Sequence, residues 1–509
     1  MIGLRTGVRA GTMCAFIALI FLAAASSGLS ARTMYLSPSG GDGAACVQGA
    51  TFKTFSRAAG CLEGGDTLIV LGGSYEGGVV IRTQATEEAP LVIRGQSLDA
   101  VIQGSGSRDD AVRVDGASHV VIERLTVRNA GRAGISILNS HHVRVTGCRC
   151  VDNGKWGIFT GFADDVHFED NECCGSKIEH GIYHSNSGDR FVIRNNRVHD
   201  NAGCGIHMNG DPVMGGDGVL DFGVVEGNVI WNNGAIAGGA GINMTHVQDV
   251  IVRNNLLYNN RAGGFTVYRD SGTFEQGSKR VLIMGNTLFF SPPRKGRACV
   301  NIGIWTERLV IVGNILVSGG YEPVLEVHST YLNTIRSDRN IYWGIDAENA
   351  VTLKNRISLD SWRSRTGNDK HTIFADPLFV APGSGDFSVA DSSPAVDAAM
   401  PLDSVRAVIE GLGGFEWMLS QLDSLPEVDI IGAGRPAGEA PDAGAYEMGA
   451  PAPGSYDFNR DGGLGMADVI TLLVLAMDDM ENRDYDINGD GNFSAVDVIR
   501  LLLVIRNQV

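Results

Sequence analysis

The chain of 509 residues carries a formal net charge of -17, with 68 glycines, 15 prolines and 7% aromatic residues. An acidic excess on that scale excludes a general nucleic-acid binder, which must present basic surface to phosphates, but it leaves room for a local basic groove that takes an anionic carbohydrate. Glycine at this abundance fits many tight turns better than long helices, and the length allows two to four domains or one long all-β architecture.

The opening stretch, "MIGLRTGVRAGTMCAFIALIFLAAASSGLSA", sets Arg5 and Arg9 before an apolar run and a cluster of small residues. That is the build of a secretory signal peptide, so residues 1–31 are expected to be removed and the mature chain to be secreted, extracellular or attached to the cell surface, with no membrane span. An N-terminal anchor is the weaker alternative, because the apolar run is short. Cys46 and Cys61 flank a short segment near the mature start, and an exported location permits a disulfide between them.

From about residue 119 onward one phrase recurs: a short alternating apolar run, an asparagine, often a second asparagine, then Gly-Ile or a similar pair. It is seen in "FVIRNNRVHDNAGCGIHM", "VVEGNVIWNNGAIAGGAGINM" and "VIVRNNLLYNNRAGGFTV". The aligned positions are Leu125, Cys148, Asn171, Asn196, Asn228, Asn255, Asn286 and Asn314, with gaps of 23 to 32 residues. Such spacing is too irregular for helical repeats of fixed length and suits coils with one variable loop. Alternation within each phrase predicts short strands, and strands repeated at this interval predict a solenoid whose coils stack about 4.8 Å apart. The asparagine column then satisfies buried polar groups where the chain bends. A second column, Asn153, Asn201, Asn233 and Asn260 with Ser176 interrupting, points the same way.

This pattern resembles the right-handed parallel β-helix of the pectate-lyase-like superfamily. The stretch "TFKTFSRAAGCLEGGDTLIVLGGSYEG" is similar to the N-terminal cap of such proteins, and "SLDSWRSRTGNDKHTIFADPLFV" with "PDAGAYE" is similar to the C-terminal closing segment of many secreted bacterial examples. The resemblance implies an all-β solenoid over residues 32–345 and a closing segment over 346–449; a β-propeller, the runner-up, needs longer and more regular units.

After a linker at 450–456, "DFNRDGGLGMAD" and "DINGDGNFSAVD" each place oxygen-bearing side chains at loop positions one, three and five with glycine at six, the arrangement that wraps Ca²⁺. The expected ligands of two calcium ions are Asp457, Asn459, Asp461, the carbonyl of Gly463 and Asp468, then Asp486, Asn488, Asp490, the carbonyl of Asn492 and Asp497. Each loop ends in aspartate and is followed by an apolar helix, "MADVITLLVLAM" or "SAVDVIRLLLVI". This tandem loop-helix unit over 457–509 resembles a type I dockerin, which implies a cohesin-bearing scaffold or cell-surface protein as partner, with Met466, Ala467, Ala495 and Val496 at positions that tune partner choice.

Registering the coils on Gly134, Gly157, Gly181, Gly205, Gly241 and Gly264 predicts an outward column Ser136, Phe159, Tyr183, His207, Asn243 and Thr266, and a second one through Ser185, Asn209, Thr245 and Tyr268. His184 falls on the inward parity. The dockerin resemblance implies a carbohydrate-active cargo. For β-elimination on a uronate polysaccharide, His207 or Tyr183 would serve as base and the other as acid, with Asn243, Asn209 or a bound cation facing the carboxylate. His180, Lys177 and Arg269 lie on nearby loops as further candidates. Pectate lyases use a calcium-binding carboxylate cluster with an arginine or lysine base, and no dense aspartate cluster occupies one column here. Lys177 with Arg194 or Arg197 is only a loose match to the lysine and arginine of related alginate lyases and chondroitinases.

Three other features have structural readings at least as strong as functional ones. His199, Trp231, Tyr258 and Phe289 form an outward aromatic column, suited to sugar rings or to bracing a sheet face; Arg194 and Arg253 interleave with Glu169 and Glu226 as a solvated charge ladder; Cys150 and Cys173 align as a core pair or an inter-coil disulfide. Cys174, Cys204 and Cys299 have no assigned pairing. The preferred reading is a secreted uronan lyase displayed through calcium-dependent docking; the alternative is a non-catalytic glycan-binding or structural β-helix. Uneven loops such as "GDPVMGGDGVLDFG" favour the enzyme, since a spacer would keep uniform coils. Asp457→Ala combined with Asp486→Ala is expected to abolish cohesin binding while leaving catalysis unchanged; cohesin binding that persists in chelator would overturn the calcium module.

Overall fold

The computed structural model describes residues 31–449 except 105, 107, 108, 237 and 294, together with Val469 and Val498. The expected signal segment, linker and calcium loops lie outside the described residues; Val469 and Val498, both helical, fall in the two expected apolar helices. No helix among the described residues is long and apolar enough to cross a membrane.

The chain winds into three parallel sheets of 13, 12 and 12 strands, each coil adding one strand to each sheet. Val145, Phe168, Ile193, Val225, Val252, Ile283 and Ile311 stack in register along the first sheet and are all fully buried. The period-two alternation of the sequence thus becomes one continuous apolar interior with the intervening side chains outside.

At the corner after the first sheet the asparagine column does its expected work. Asn255 Oδ1 accepts from Asn228 N and Nδ2 at 3.0 and 2.9 Å, while Asn255 Nδ2 donates to Asn286 Oδ1, Val225 O and Arg253 O, each at 2.9 Å. The pattern repeats from Asn171 to Asn314 and runs on to Asn340, beyond the phrases visible in sequence, where Thr372 Oγ1 ends it. Cys148 fits the same corner: its N–H donates to Asn171 Oδ1 at 2.9 Å and its thiol reaches the Ile122 and Thr146 carbonyls. The second ladder, Asn201 to Asn233 to Asn260, bears on Gly181, Gly205 and Gly241 at the start of the adjacent third-sheet strands. A Cβ on Gly181 would overlap Val198 Cγ1 and lie 2.7 Å from Asn201 Nδ2, so the corner amide excludes any larger residue.

Cys46 and Cys61 form the expected disulfide, with Cα atoms 5.3 Å apart. Near it, the short helix Phe55–Ala59 buries Phe55 and Ala58 over the N-terminal end. Cys150 and Cys173 pair in register as reduced, buried thiols, not as a disulfide.

The C-terminal end of the core is closed by the helix Leu359–Thr366, whose buried Trp362 donates through Nε1 to the buried Asp369 at 2.7 Å. The chain then turns back along the flank. Helices Leu402–Leu412 and Glu416–Ser424 lay Val405, Ile409, Met418 and Leu422 over the outward-facing Ile251, Leu282 and Val310 of the first sheet. The charge ladder is therefore solvated only in part: Glu226 receives Arg194 at 2.5 Å and Arg253 at 2.6 Å, and Arg253 is buried beneath this segment with its Nη2 donating to Pro426 O. Asn255→Ala would leave several corner carbonyls and the Asn228 N–H unpaired, at about 1–3 kcal/mol each. A loss of roughly 3 kcal/mol or more in denaturant unfolding is expected, against little change for the exposed Lys177→Ala.

Candidate active site

The six register glycines align as expected, and Ser136, Phe159, Tyr183, His207, Asn243 and Thr266 stand on adjacent strands of the third sheet. Their exposure differs from the sequence expectation. Ser136, Phe159, Asn243 and Thr266 are buried, as are Ser185 and Thr245 of the second column, because neighbouring side chains and loops fold over them. Tyr183, His207, Asn209 and Tyr268 remain partly exposed and form one patch. His184 is inward and buried; its ring bonds to Thr160 Oγ1 at 2.8 Å and to the Gly188 carbonyl at 3.2 Å, so it belongs to the core and not to the patch.

The two imidazoles at the centre have one consistent neutral proton arrangement. His180 Nδ1 accepts from the Cys204 backbone N–H at 2.9 Å, which puts its proton on Nε2. That Nε2 lies 3.0 Å from His207 Nδ1, which must then accept, so the His207 proton sits on Nε2. His207 Nε2 is buried and has no partner among the described residues. Burial holds His180 down at about 4, and burial with the neighbouring His180 holds His207 well below the usual imidazole range. The pair is neutral at ordinary pH and presents one N–H with nothing to receive it.

Tyr183 stacks on His207 with centroids 5.0 Å apart and planes 27° apart. Its hydroxyl accepts from Asn209 Nδ2 at 3.2 Å, while Asn209 Oδ1 accepts from the Asp211 N–H at 3.1 Å, which fixes the amide orientation. Burial pushes the Tyr183 phenol up to about 12. On one side of the patch Trp156 and Phe159 stack at 4.2 Å, and Trp156 Nε1 and Lys155 Nζ both donate to Glu179 at 2.9 Å. On the other side Asn243 Nδ2 donates to Tyr268 Oη at 3.3 Å, and Thr266 Oγ1 is buried without a partner among the described residues. Arg269, one residue beyond Tyr268, lays its guanidinium 3.3 Å from the Trp305 ring centroid and donates to Gly272 O at 2.7 Å. Lys177 is exposed.

The loops at 210–219 and 270–277 join into one wall: Gln276 Nε2 donates to Asp217 O at 2.7 Å, and His246 ties Gln276 O and Asp270 together at 2.7 and 2.8 Å. The His180–His207 contact, with Trp156, Glu179 and Trp305, escaped the sequence reading. The first of these was visible in principle, since His180 and Cys204 occupy the same position, one residue before their register glycines.

His180, Cys204 and His207 place ligand atoms within 4.8 Å of one another, a donor set that suits zinc or copper. Three of their four imidazole nitrogens already serve in the hydrogen bonds above, so the cluster as folded is arranged for hydrogen bonding. The aromatic column behaves as a brace: Trp231 stacks on His199 at 4.0 Å, and the hairpin of Phe379–Ala381 and Asp386–Val389 sets Phe387 5.1 Å from Tyr258 and 5.3 Å from Phe289.

A family description and one superposed structure support the architecture. A family description, right handed beta helix region, matches residues 100–216. The uncharacterized protein YwoF of Bacillus subtilis (strain 168) is 21% identical over 434 residues, covering 71% of this chain and 92% of its own. The crystal structure of pectate lyase Pel9A superposes with a TM-score of 0.53 at 14% identity, covering 83% of this chain and 98% of that one. An alginate lyase from Paenibacillus sp. str. FPU-7 reaches a TM-score of 0.39 at 18% identity, covering 58% and 95%. The fold is a right-handed parallel β-helix.

Burial holds His184, like His180, down at about 4, so acid protonates the unfolded chain near pH 6.5 before it protonates the fold. Their contribution to stability is present above pH 6.5 and is lost as pH falls towards 4. The stability difference between pH 7 and pH 4.5, measured by denaturant unfolding, is expected to be smaller in His184→Gln than in wild type.

Proposed function

We propose that this chain is a secreted carbohydrate-active enzyme, a uronan lyase working by β-elimination, with the tandem calcium loops anchoring it to a cohesin-bearing partner. One observation carries the reading: a neutral imidazole pair with a single consistent proton arrangement leaves the buried His207 Nε2–H without an acceptor among the described residues, with the Tyr183 ring stacked against it. An unpaired buried donor costs about 1–3 kcal/mol until an acceptor arrives. A substrate carboxylate is such an acceptor. The name of pectate lyase Pel9A, which shares the fold, points towards the same substrate class.

The proton inventory divides the roles. Neutral His207 is too weak an acid to release its Nε2 proton and has no free lone pair for a base, because Nδ1 is occupied by His180. It therefore serves as the donor that neutralises the uronate carboxylate and acidifies the C5 proton. Tyr183 is the group that exchanges protons: as phenolate it takes the C5 proton, the C4–O bond breaks, and the same phenol returns the proton to the departing glycosidic oxygen. Asn209 Nδ2 donates to the phenolic oxygen and steadies its charged form, and the buried Asn243 holds the hydroxyl of Tyr268 at the far side of the patch. Hydrolysis, epimerisation at C5 or glycan binding alone would use the same groove with different outcomes.

A panel of uronate polysaccharides and glycosaminoglycans, followed by ultraviolet absorbance of the unsaturated product, is expected to reveal one substrate. New reducing ends without absorbance would mean hydrolysis, and neither signal would favour the binding or structural alternative. With a substrate in hand, Tyr183→Phe and His207→Ala are each expected to lower turnover by about 100-fold or more without changing thermal unfolding. Because the base is a phenol pushed up to about 12, kcat/KM is expected to climb about tenfold per pH unit through the alkaline range. An optimum near pH 6 to 7 would return the base role to an imidazole.

A further inference from the structure

Near the start of first-sheet strands one non-glycine residue takes a left-handed backbone, with φ between 50° and 55° at His119, His142, Asp165, Arg190, Asp249 and Arg280. Such a conformation is uncommon for residues with a Cβ, and it turns the side chains out of the strand alternation into a column down one corner of the solenoid. At two steps of that column successive coils complement one another. Arg190 pairs with Asp165 at 2.7 Å, and Arg280 pairs with Asp249 at 2.7 Å.

At the N-terminal end the complementarity gives way to histidine. His142 stacks on His119 with centroids 4.4 Å apart, and His141 brings its Nδ1 to 2.8 Å from His142 Nδ1. One of those two nitrogens holds the proton of that contact and the other accepts it, so an ion that binds there must displace the proton to a far ring nitrogen, which frees both lone pairs. One ligand atom from each of the three rings lies within 4.8 Å of the other two, and Asp165 Oδ2 stands 3.8 Å from His142 Nδ1.

We infer that His119, His141 and His142 form a binding site for a divalent late-transition ion, with Zn²⁺ the ion that three imidazoles and a water suit best, bridging two successive coils of the solenoid. Nitrogen ligands at this count disfavour Ca²⁺ and Mg²⁺, which take oxygen. The site belongs to a first-sheet corner and is separate from the third-sheet groove, so it stands whether or not the groove is catalytic.

The test is calorimetric titration of the mature full chain with ZnCl₂, with calcium present in excess to fill the oxygen-ligand loops. His142→Asn and His119→Asn are the variants of choice, because asparagine tolerates the left-handed backbone and removes the imidazole. His207→Ala controls for zinc taken by the His180, Cys204 and His207 cluster. One zinc equivalent that weakens about tenfold or more in His142→Asn and in His119→Asn, but persists in His207→Ala, supports the site; a zinc-induced rise in Tm lost in the same two variants supports the bridging. Absence of zinc binding, or binding undiminished by His142→Asn, overturns it.

Discussion

A solenoid coil turns three corners, and every corner buries backbone groups that strand pairing leaves open. The stacked asparagine amides answer that problem with one residue type used in the same way at successive levels. Each side-chain oxygen receives the N–H of the coil before, and each side-chain nitrogen reaches forward to the next amide and back to corner carbonyls. An amide has both a donor and an acceptor and is short enough to stay at the bend. Serine, cysteine or threonine can replace it at a terminus or an interruption, as Cys148 and Thr372 do, but each provides fewer bonds. The neighbouring glycines follow from the ladder, since the space a Cβ would need is already taken by the amide.

Fixed corners hold the register, and register turns a linear sequence into columns. Tyr183 and His207 are 24 residues apart in the chain yet face each other as strand neighbours. The same rule assembles the charge ladder, the aromatic brace and the histidine corner. What differs among columns is cover. The returning C-terminal segment buries much of the first sheet's outer face with two amphipathic helices and braces the second with an aromatic hairpin. The patch on the third sheet, walled by the joined loops at 210–219 and 270–277, keeps polar groups within reach of solvent.

Within that patch the decisive contact is not a strand-register contact. His180 precedes its strand, at the level of Cys204, and its ring crosses to the next coil to meet His207. A backbone N–H fixes the first ring's tautomer and the first ring fixes the second, so a scaffold hydrogen bond sets which nitrogen of His207 carries the proton. Burial of both rings favours their neutral forms, and a neutral pair can carry only this proton arrangement.

The solenoid, the period of its coils, the two asparagine ladders, the glycine register and the inward place of His184 were all legible in the sequence, because each rests on a local repeat whose physical demand recurs at every level. So was the Cys46–Cys61 pairing, from proximity and compartment. The extension of the ladder to Asn340 was missed, because no second asparagine stands five residues on and the Gly344-Ile345 pair falls too early for the next strand. The burial of Ser136, Phe159, Asn243 and Thr266, the covering of the charge ladder and the crossing of His180 to His207 were decided by tertiary structure. Each depends on loops and a returning segment far away in sequence, and on side-chain directions that periodicity does not encode. Strand alternation assigns a side chain to a face; only packing determines what lies on top of it.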